Sequence, residues 1–195
     1  MNKNSIGGII LAGGRSRRFG EQKAFVERAG LPFYHYAINA MKPIVDSMVL
    51  VTNDELIHRF QETKPFLSII TDVDNYAGLG PLAGIYSGMD HLDAELYLVS
   101  PIDVPFIETS VYHSLLNHFE NGVDAIIPVV KGKMQPITSI FHQSLKSKIK
   151  DQLDQKALSP KQLFSKANVR FVEMDYDRAF LNINYQADYE QYVKE

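Results

Sequence analysis

Residues 6–23 read Ile-Gly-Gly-Ile-Ile-Leu-Ala-Gly-Gly-Arg-Ser-Arg-Arg-Phe-Gly-Glu-Gln-Lys, and the rest of the chain is organised around this stretch. Ile6–Leu11 is apolar without polar alternation, the pattern of a strand covered on both faces. Gly13 and Gly14 follow, then Arg15, Arg17, Arg18 and Lys23 against one acid, Glu21. Glycines let the backbone approach a phosphate closely and aim several N–H groups at it, while arginine and lysine neutralise the remaining charge. The plainer reading is a strand-to-loop turn with a solvated basic surface. Two familiar phosphate loops are excluded: there is no Gly-Lys-Ser/Thr for a Walker loop, and no G-x-G-x-x-G directly after the strand.

Outward from this start, short apolar runs alternate with helical patterns, which predicts an α/β fold. Strands are expected at Ser47–Thr52, Leu67–Thr71, 96–100, Ala125–Val130, 137–141, 169–174 and 180–183. Helices are expected at 31–41, 55–61, Pro81–His91, 110–119, 145–153 and 187–194, and another after Ser159, where Ser159-Pro160-Lys161-Gln162 has the capping-box form. The segment 72–80 reads as a loop rich in Gly and Asp; 78–84 falls one residue outside a dinucleotide fingerprint. No Gly/Ser/Pro linker divides the chain, so residues 1–195 are expected to form a single domain.

The composition, 45% hydrophobic and 22% charged over 195 residues, is that of a globular protein with a full core. With no cysteine there is no disulfide framework, thiolate nucleophile or Cys-ligated zinc. A net charge of −3 with a local basic loop favours a small anionic ligand over nucleic acid. The apolar run before Gly13 is too short for a secretory leader, and no stretch is long enough to span a membrane. A cytoplasmic protein with no membrane partner is therefore expected. The histidines, His35, His58, His91, His113, His118 and His142, show no metal-ligand spacing and read as structural or surface residues.

Asp103 follows the apolar strand at 96–100, and open α/β sheets bind ligands beyond the carboxyl ends of such strands. Mg²⁺ prefers one or two carboxylates plus substrate phosphates, so Asp103 is the best candidate metal ligand; it can equally cap the helix near Thr109 or fix the turn at Pro105. Asp72 ends another strand and can accept hydrogen bonds from guanine or ribose, or form an Asx turn; Asp74 is second choice. Asn53 can reach a nucleoside or cap the following helix.

The spacing L-A-G-G-x-S-x-R-x-G-x-x-K resembles the signature of nucleotidyltransferases that bind NTPs on a Rossmann-like sheet. With Val51–Asn53, Asp72, Gly80-Pro81-Leu82-Ala83-Gly84, Asp103-Val104-Pro105, Gln135-Pro136 and Asn182-Ile183-Asn184, the chain resembles the molybdenum cofactor guanylyltransferase family from near residue 6 to near residue 190. Gln22 stands where the family often has aspartate, and Pro101 where many relatives have a small or apolar residue. The resemblance implies a Rossmann-like three-layer sandwich, a mostly parallel sheet with helices on both faces. It implies GMP transfer from GTP to the terminal phosphate of Mo-molybdopterin, with pyrophosphate released and Mg²⁺ as cofactor.

GTP would be held by Leu11, Ala12, Gly13, Gly14, Lys23, Asn53, Asp72 and Asp103. Lys23, Arg18 and Asp103 would serve catalysis, Asp103 would bind the metal, and Asn182 and Asn184 would hold the acceptor; on the residues alone those asparagines read as a strand end and helix cap. Other molybdenum-cofactor maturation proteins and molybdoenzymes are implied partners. Two alternatives stand beside this reading: a CTP- or UTP-dependent relative acting on another phosphorylated acceptor, and a non-catalytic, nucleotide-dependent delivery module.

Overall fold

The computed structural model describes residues 5–14, 18–60, 66–175 and 178–194. Strand β1 (Ile6–Leu11) lies between β4 (Ser47–Thr52) and β6 (Leu96–Pro101), parallel to both. β5 (Leu67–Thr71) adds outside β4, also parallel. On the other flank β9 (Ser139–His142) runs antiparallel to β6 and to β7 (Ala125–Val130), and β10 (Val169–Glu173) closes that edge parallel to β7. The order is β10-β7-β9-β6-β1-β4-β5, a mostly parallel sheet in which β9 alone along this path is reversed.

Successive residues of β1 serve opposite faces, which explains its uninterrupted apolar run. Ile10 packs with α1 (Phe33–Met41) and α3 (Thr109–Leu116), whereas Ile9 packs with α2 (Pro81–His91) and α4 (Leu145–Asp154). Leu98 and Val99 divide in the same way on β6. The central strands β1, β4 and β6 are therefore covered on both sides and carry no polar face, whereas edge strand β10 leaves Phe171 and Glu173 exposed.

β8 (Lys133–Met134) pairs with the end of β7, and the Gln135 N–H continues toward it by donating to the Pro128 carbonyl at 2.8 Å. Pairing with β6 resumes only at Ser139, opposite Val99. Residues 135–138 thus interrupt a strand that would otherwise fill the space beside the end of β6. Pro136 suits such a break because it has no N–H to give a ladder.

Several expectations are corrected. Residues 180–183 form no strand: Phe180 is buried in the core against α1 and α3, while Ile183 enters a small cluster with Phe19, Val26, Phe33 and Phe106. The apolar run there signals burial, not pairing. Leu31 and Pro32 belong to a short hairpin, β2 (Glu27–Arg28) with β3 (Leu31–Pro32), so the helix starts at Phe33. At 55–61 the described part holds only a 3₁₀ turn, Ile57–Arg59; Gln61 lies outside the described residues. Ser159 precedes α5 (Pro160–Phe164) but makes no side-chain cap bond, and the last helix, α6, spans Gln186–Tyr192.

Candidate active site

β1, β4, β5 and β6 run in the same direction, so their carboxyl ends meet along one edge. After β1 the chain builds outward through β4 and β5, then returns to place β6 on the opposite flank of β1. That reversal opens a crevice at the position where α/β sheets bind ligands. A cavity of about 420 Å³ lies here, within the range that holds a small organic ligand. Leu11, Val51 and Thr52 form part of its lining; Gly13, Gly14 and Lys23 come from the loop after β1. Asp72, Gly78, Gly80 and Gly84 line it from the β5–α2 segment, Pro101, Ile102 and Asp103 from the end of β6, and Ile137 from the broken strand.

Lys23 opens a 3₁₀ turn, Lys23–Phe25, and its ammonium donates to Asp103 Oδ2 at 3.1 Å and to Asn184 Oδ1 at 2.9 Å. The Lys23 and Asp103 side chains are only 12% and 20% exposed. An ion pair so shielded from water is held more firmly than a surface pair. Asp103 therefore does not cap α3, whose cap position is Glu108.

Asp72 is half-buried on the cavity, and its Oδ2 accepts the Gly78 N–H at 3.2 Å. Burial raises its pKa above the ordinary carboxylate value, and the Gly78 hydrogen bond offsets only part of that rise. Helix α2 begins beside it: Gly80 holds the cap position at φ +89°, ψ −163°, a backbone that only glycine adopts freely, and Pro81 opens the helix. The Gly80–Gly84 segment is thus a wall of the cavity. In the sequence this segment carries a family resemblance but no assigned place at the site; its one local signal is Gly-Pro after an aspartate-ended strand.

Other expected residues take supporting positions. Ala12 is buried, with its N–H on the Val51 carbonyl at 2.8 Å, behind the cavity surface. Asn53 bridges the glycine loop to the next turn, donating to the Gly13 carbonyl at 3.1 Å and accepting the Leu56 N–H at 3.1 Å. It thus fixes Gly13 in place, and does not itself line the cavity. Arg18 is exposed and outside the cavity lining, and Asn182 turns its Nδ2 back to the Phe180 carbonyl at 3.3 Å. Asp74 is exposed in a 3₁₀ turn. Arg15, Ser16 and Arg17 lie outside the described residues.

Among the described residues no three His, Cys, Asp or Glu side chains gather to hold a metal. Asp103 does fit a cation shared with a ligand: its Oδ1 is buried and has no hydrogen-bond partner among the described residues. An orphaned carboxylate oxygen on a residue that lines the cavity is the kind of donor Mg²⁺ takes, one or two carboxylates with phosphates completing the shell. One cationic and one anionic group in contact, a glycine loop and a half-buried acid thus line a single cavity.

Comparison with known proteins places the chain in a family and a fold. A family model for the MobA-like NTP transferase domain matches residues 8–170. A Bacillus cytotoxicus protein named "Probable molybdenum cofactor guanylyltransferase" is 37% identical over 189 residues, covering 95% of this chain and 94% of its own. A protein of the same name from Bacillus mycoides is 33% identical over 192 residues, covering 96% of each. The crystal structure of molybdopterin-guanine dinucleotide biosynthesis protein A from Archaeoglobus fulgidus shares the fold, with a TM-score of 0.79 at 23% identity over 97% of either chain.

Proposed function

The chain belongs to the MobA-like NTP transferase family, and from that premise we propose that it transfers GMP from GTP to the terminal phosphate of Mo-molybdopterin. An oxygen of the acceptor phosphate bonds to the α-phosphorus of GTP, the bond from that phosphorus to the bridging oxygen breaks, and pyrophosphate leaves. The products are molybdopterin guanine dinucleotide and pyrophosphate. The observation that carries this reading is the convergence of Gly13, Gly14, Lys23, Asp72 and Asp103 on one cavity at the reversal point of the sheet.

Such a transfer needs little covalent help; alignment and charge neutralisation lower its barrier. The backbone of Gly13 and Gly14 cradles the β- and γ-phosphates, and the Lys23 ammonium balances charge that grows on the leaving pyrophosphate. Asp72 accepts from the N1–H and N2 amino group of guanine, which adenine does not present in that arrangement. Asp103 would hold Mg²⁺, which when bound neutralises charge between the reacting phosphates.

The test follows pyrophosphate release with Mo-molybdopterin, Mg²⁺ and each of GTP, ATP, CTP and UTP. GTP is expected to support release only when acceptor is present; equal rates with all four nucleotides would overturn the guanine assignment. Asp103→Asn, which keeps shape but drops the charge, is expected to lose about 10²- to 10³-fold in rate with a near-native melting temperature. A near-normal rate with ordinary Mg²⁺ dependence would move the metal elsewhere.

A further inference from the structure

Asn184 is separated from Lys23 by 161 positions in sequence, yet the Lys23 ammonium donates to its Oδ1 at 2.9 Å. The amide is held on a rigid support. Its own N–H and that of Tyr185 both donate to Asp188 Oδ2, each at 2.8 Å, at the start of α6. One residue earlier, the Ile183 N–H donates to the Asp103 carbonyl at 2.8 Å, while the Ile183 side chain is fully buried among Phe19, Val26, Phe33 and Phe106. The backbone that presents Asn184 is thus tied to the backbone of Asp103. Tyr189 of α6 fastens the same unit to the β2 hairpin, its hydroxyl donating to the Glu27 carbonyl at 2.8 Å.

A lysine side chain has four rotatable bonds and loses much freedom when it is held in one place. Asp103 attracts the ammonium, but a carboxylate fixes charge more than direction. A neutral amide oxygen on a braced backbone adds the direction and leaves the ammonium's charge available to phosphate. Asn184 is absent from the cavity lining, and its side-chain oxygen already serves Lys23. We propose that Asn184 is a positioning residue, acting through Lys23 to set the ammonium beside Asp103, and not a contact of the acceptor. This role rests on the guanylyl-transfer reading above.

The test is a double-mutant cycle on the full chain with GTP, Mg²⁺ and Mo-molybdopterin, comparing wild type, Asn184→Ala, Lys23→Ala and the double variant. Asn184→Ala is expected to lower kcat about 10- to 100-fold, the loss typical of one hydrogen bond to a charged group. The acceptor KM should change by less than about twofold, because no acceptor contact is removed. In the Lys23→Ala background the same change should cost little further, since its partner is already gone. Asn184→Asp, which keeps an acceptor oxygen, should recover part of the lost rate. Asn184→Ser, too short to reach the ammonium, carries the same cycle if Asn184→Ala melts below the assay temperature. Multiplicative losses, or a raised acceptor KM with unchanged kcat, would overturn the positioning role. If wild type forms no dinucleotide, the functional reading fails and takes this role with it; if wild type is active and the cycle additive, only the positioning role fails.

Discussion

Asp72 lines the cavity at some cost to stability. Burial raises its pKa above 3.8, and the Gly78 N–H lowers it only in part. A carboxyl whose folded pKa exceeds its unfolded value makes the fold less stable as pH rises from the unfolded pKa through the folded one, and the loss persists above it. Asp72→Asn, which can still accept from Gly78, is therefore expected to raise the melting temperature at neutral pH, with the gain fading in acid. Under the proposed guanine contact the ionised carboxylate is the acceptor, so wild-type GTP affinity should fall as pH drops through the raised pKa. Asp72→Asn should bind GTP about 10- to 100-fold more weakly, with a flatter pH profile. Calorimetry and melting curves across the acid-to-neutral range check both. A variant that is less stable at neutral pH would show that the carboxylate contributes more to the fold than burial takes away.

At the scale of the element, helix α2 shows how closely the site is built onto the sheet. A Cβ at Gly88 would stand 2.8 Å from Ile9 Cγ1, Cγ2 and Cδ1, and Ile9 is fully buried, so it has nowhere to move. A Cβ at Gly84 would come 2.8 Å from Leu11 Cδ2 and 3.7 Å from Asp72 Oδ1, against a methyl that can rotate aside. Glycine inside a helix costs about 1 kcal/mol relative to alanine, so α2 gives up intrinsic helicity to approach β1. Gly88→Ala is expected to destabilise the protein by about 1–3 kcal/mol, because overpacking outweighs the gain in propensity. Urea unfolding measures it, and a stabilised variant would mean that α2 can lift off β1 without cost. The bounds of α2 were legible as Pro81–His91 because proline at the first turn and apolar spacing are local signals. Why the glycines are there was not legible, since the atoms they admit belong to β1.

Across the whole molecule, Asp124 joins segments at the end of the sheet opposite the cavity. Its carboxylate accepts from the Ser144 hydroxyl at the start of α4, from Lys148 at 2.9 Å, and from the Asn168 N–H before β10 at 3.0 Å. Partial burial pushes the group up, but these three donors together hold its pKa down at about 2. With the folded pKa depressed, the stabilisation is complete above the ordinary value of 3.8 and is lost as pH falls toward 2. Asp124→Ala is expected to cost about 1–2 kcal/mol at neutral pH, with a smaller loss of melting temperature on acidification than wild type. Identical acid slopes for the two proteins would show that other carboxylates govern acid unfolding. Among the described residues, no helix is long and apolar enough to cross a membrane.

The sequence by itself determined the layered α/β plan, the strands Ile6–Leu11, Ser47–Thr52, Leu67–Thr71 and Ala125–Val130, and a glycine-rich loop leading to Lys23. These are local properties: burial on both faces leaves unbroken apolar runs, and a turn out of a buried strand is marked by its glycines and charges. Only the tertiary structure decided that β9 runs against its neighbours, that 180–183 is an irregular strap anchored by buried Phe180 and Ile183, and that Asn53 braces Gly13. It alone brought Lys23 to Asp103 across 80 positions and to Asn184 across 161. Strand direction and such pairings arise when distant surfaces pack together. An asparagine that ends a strand, caps a helix or grips a lysine is written with the same letter.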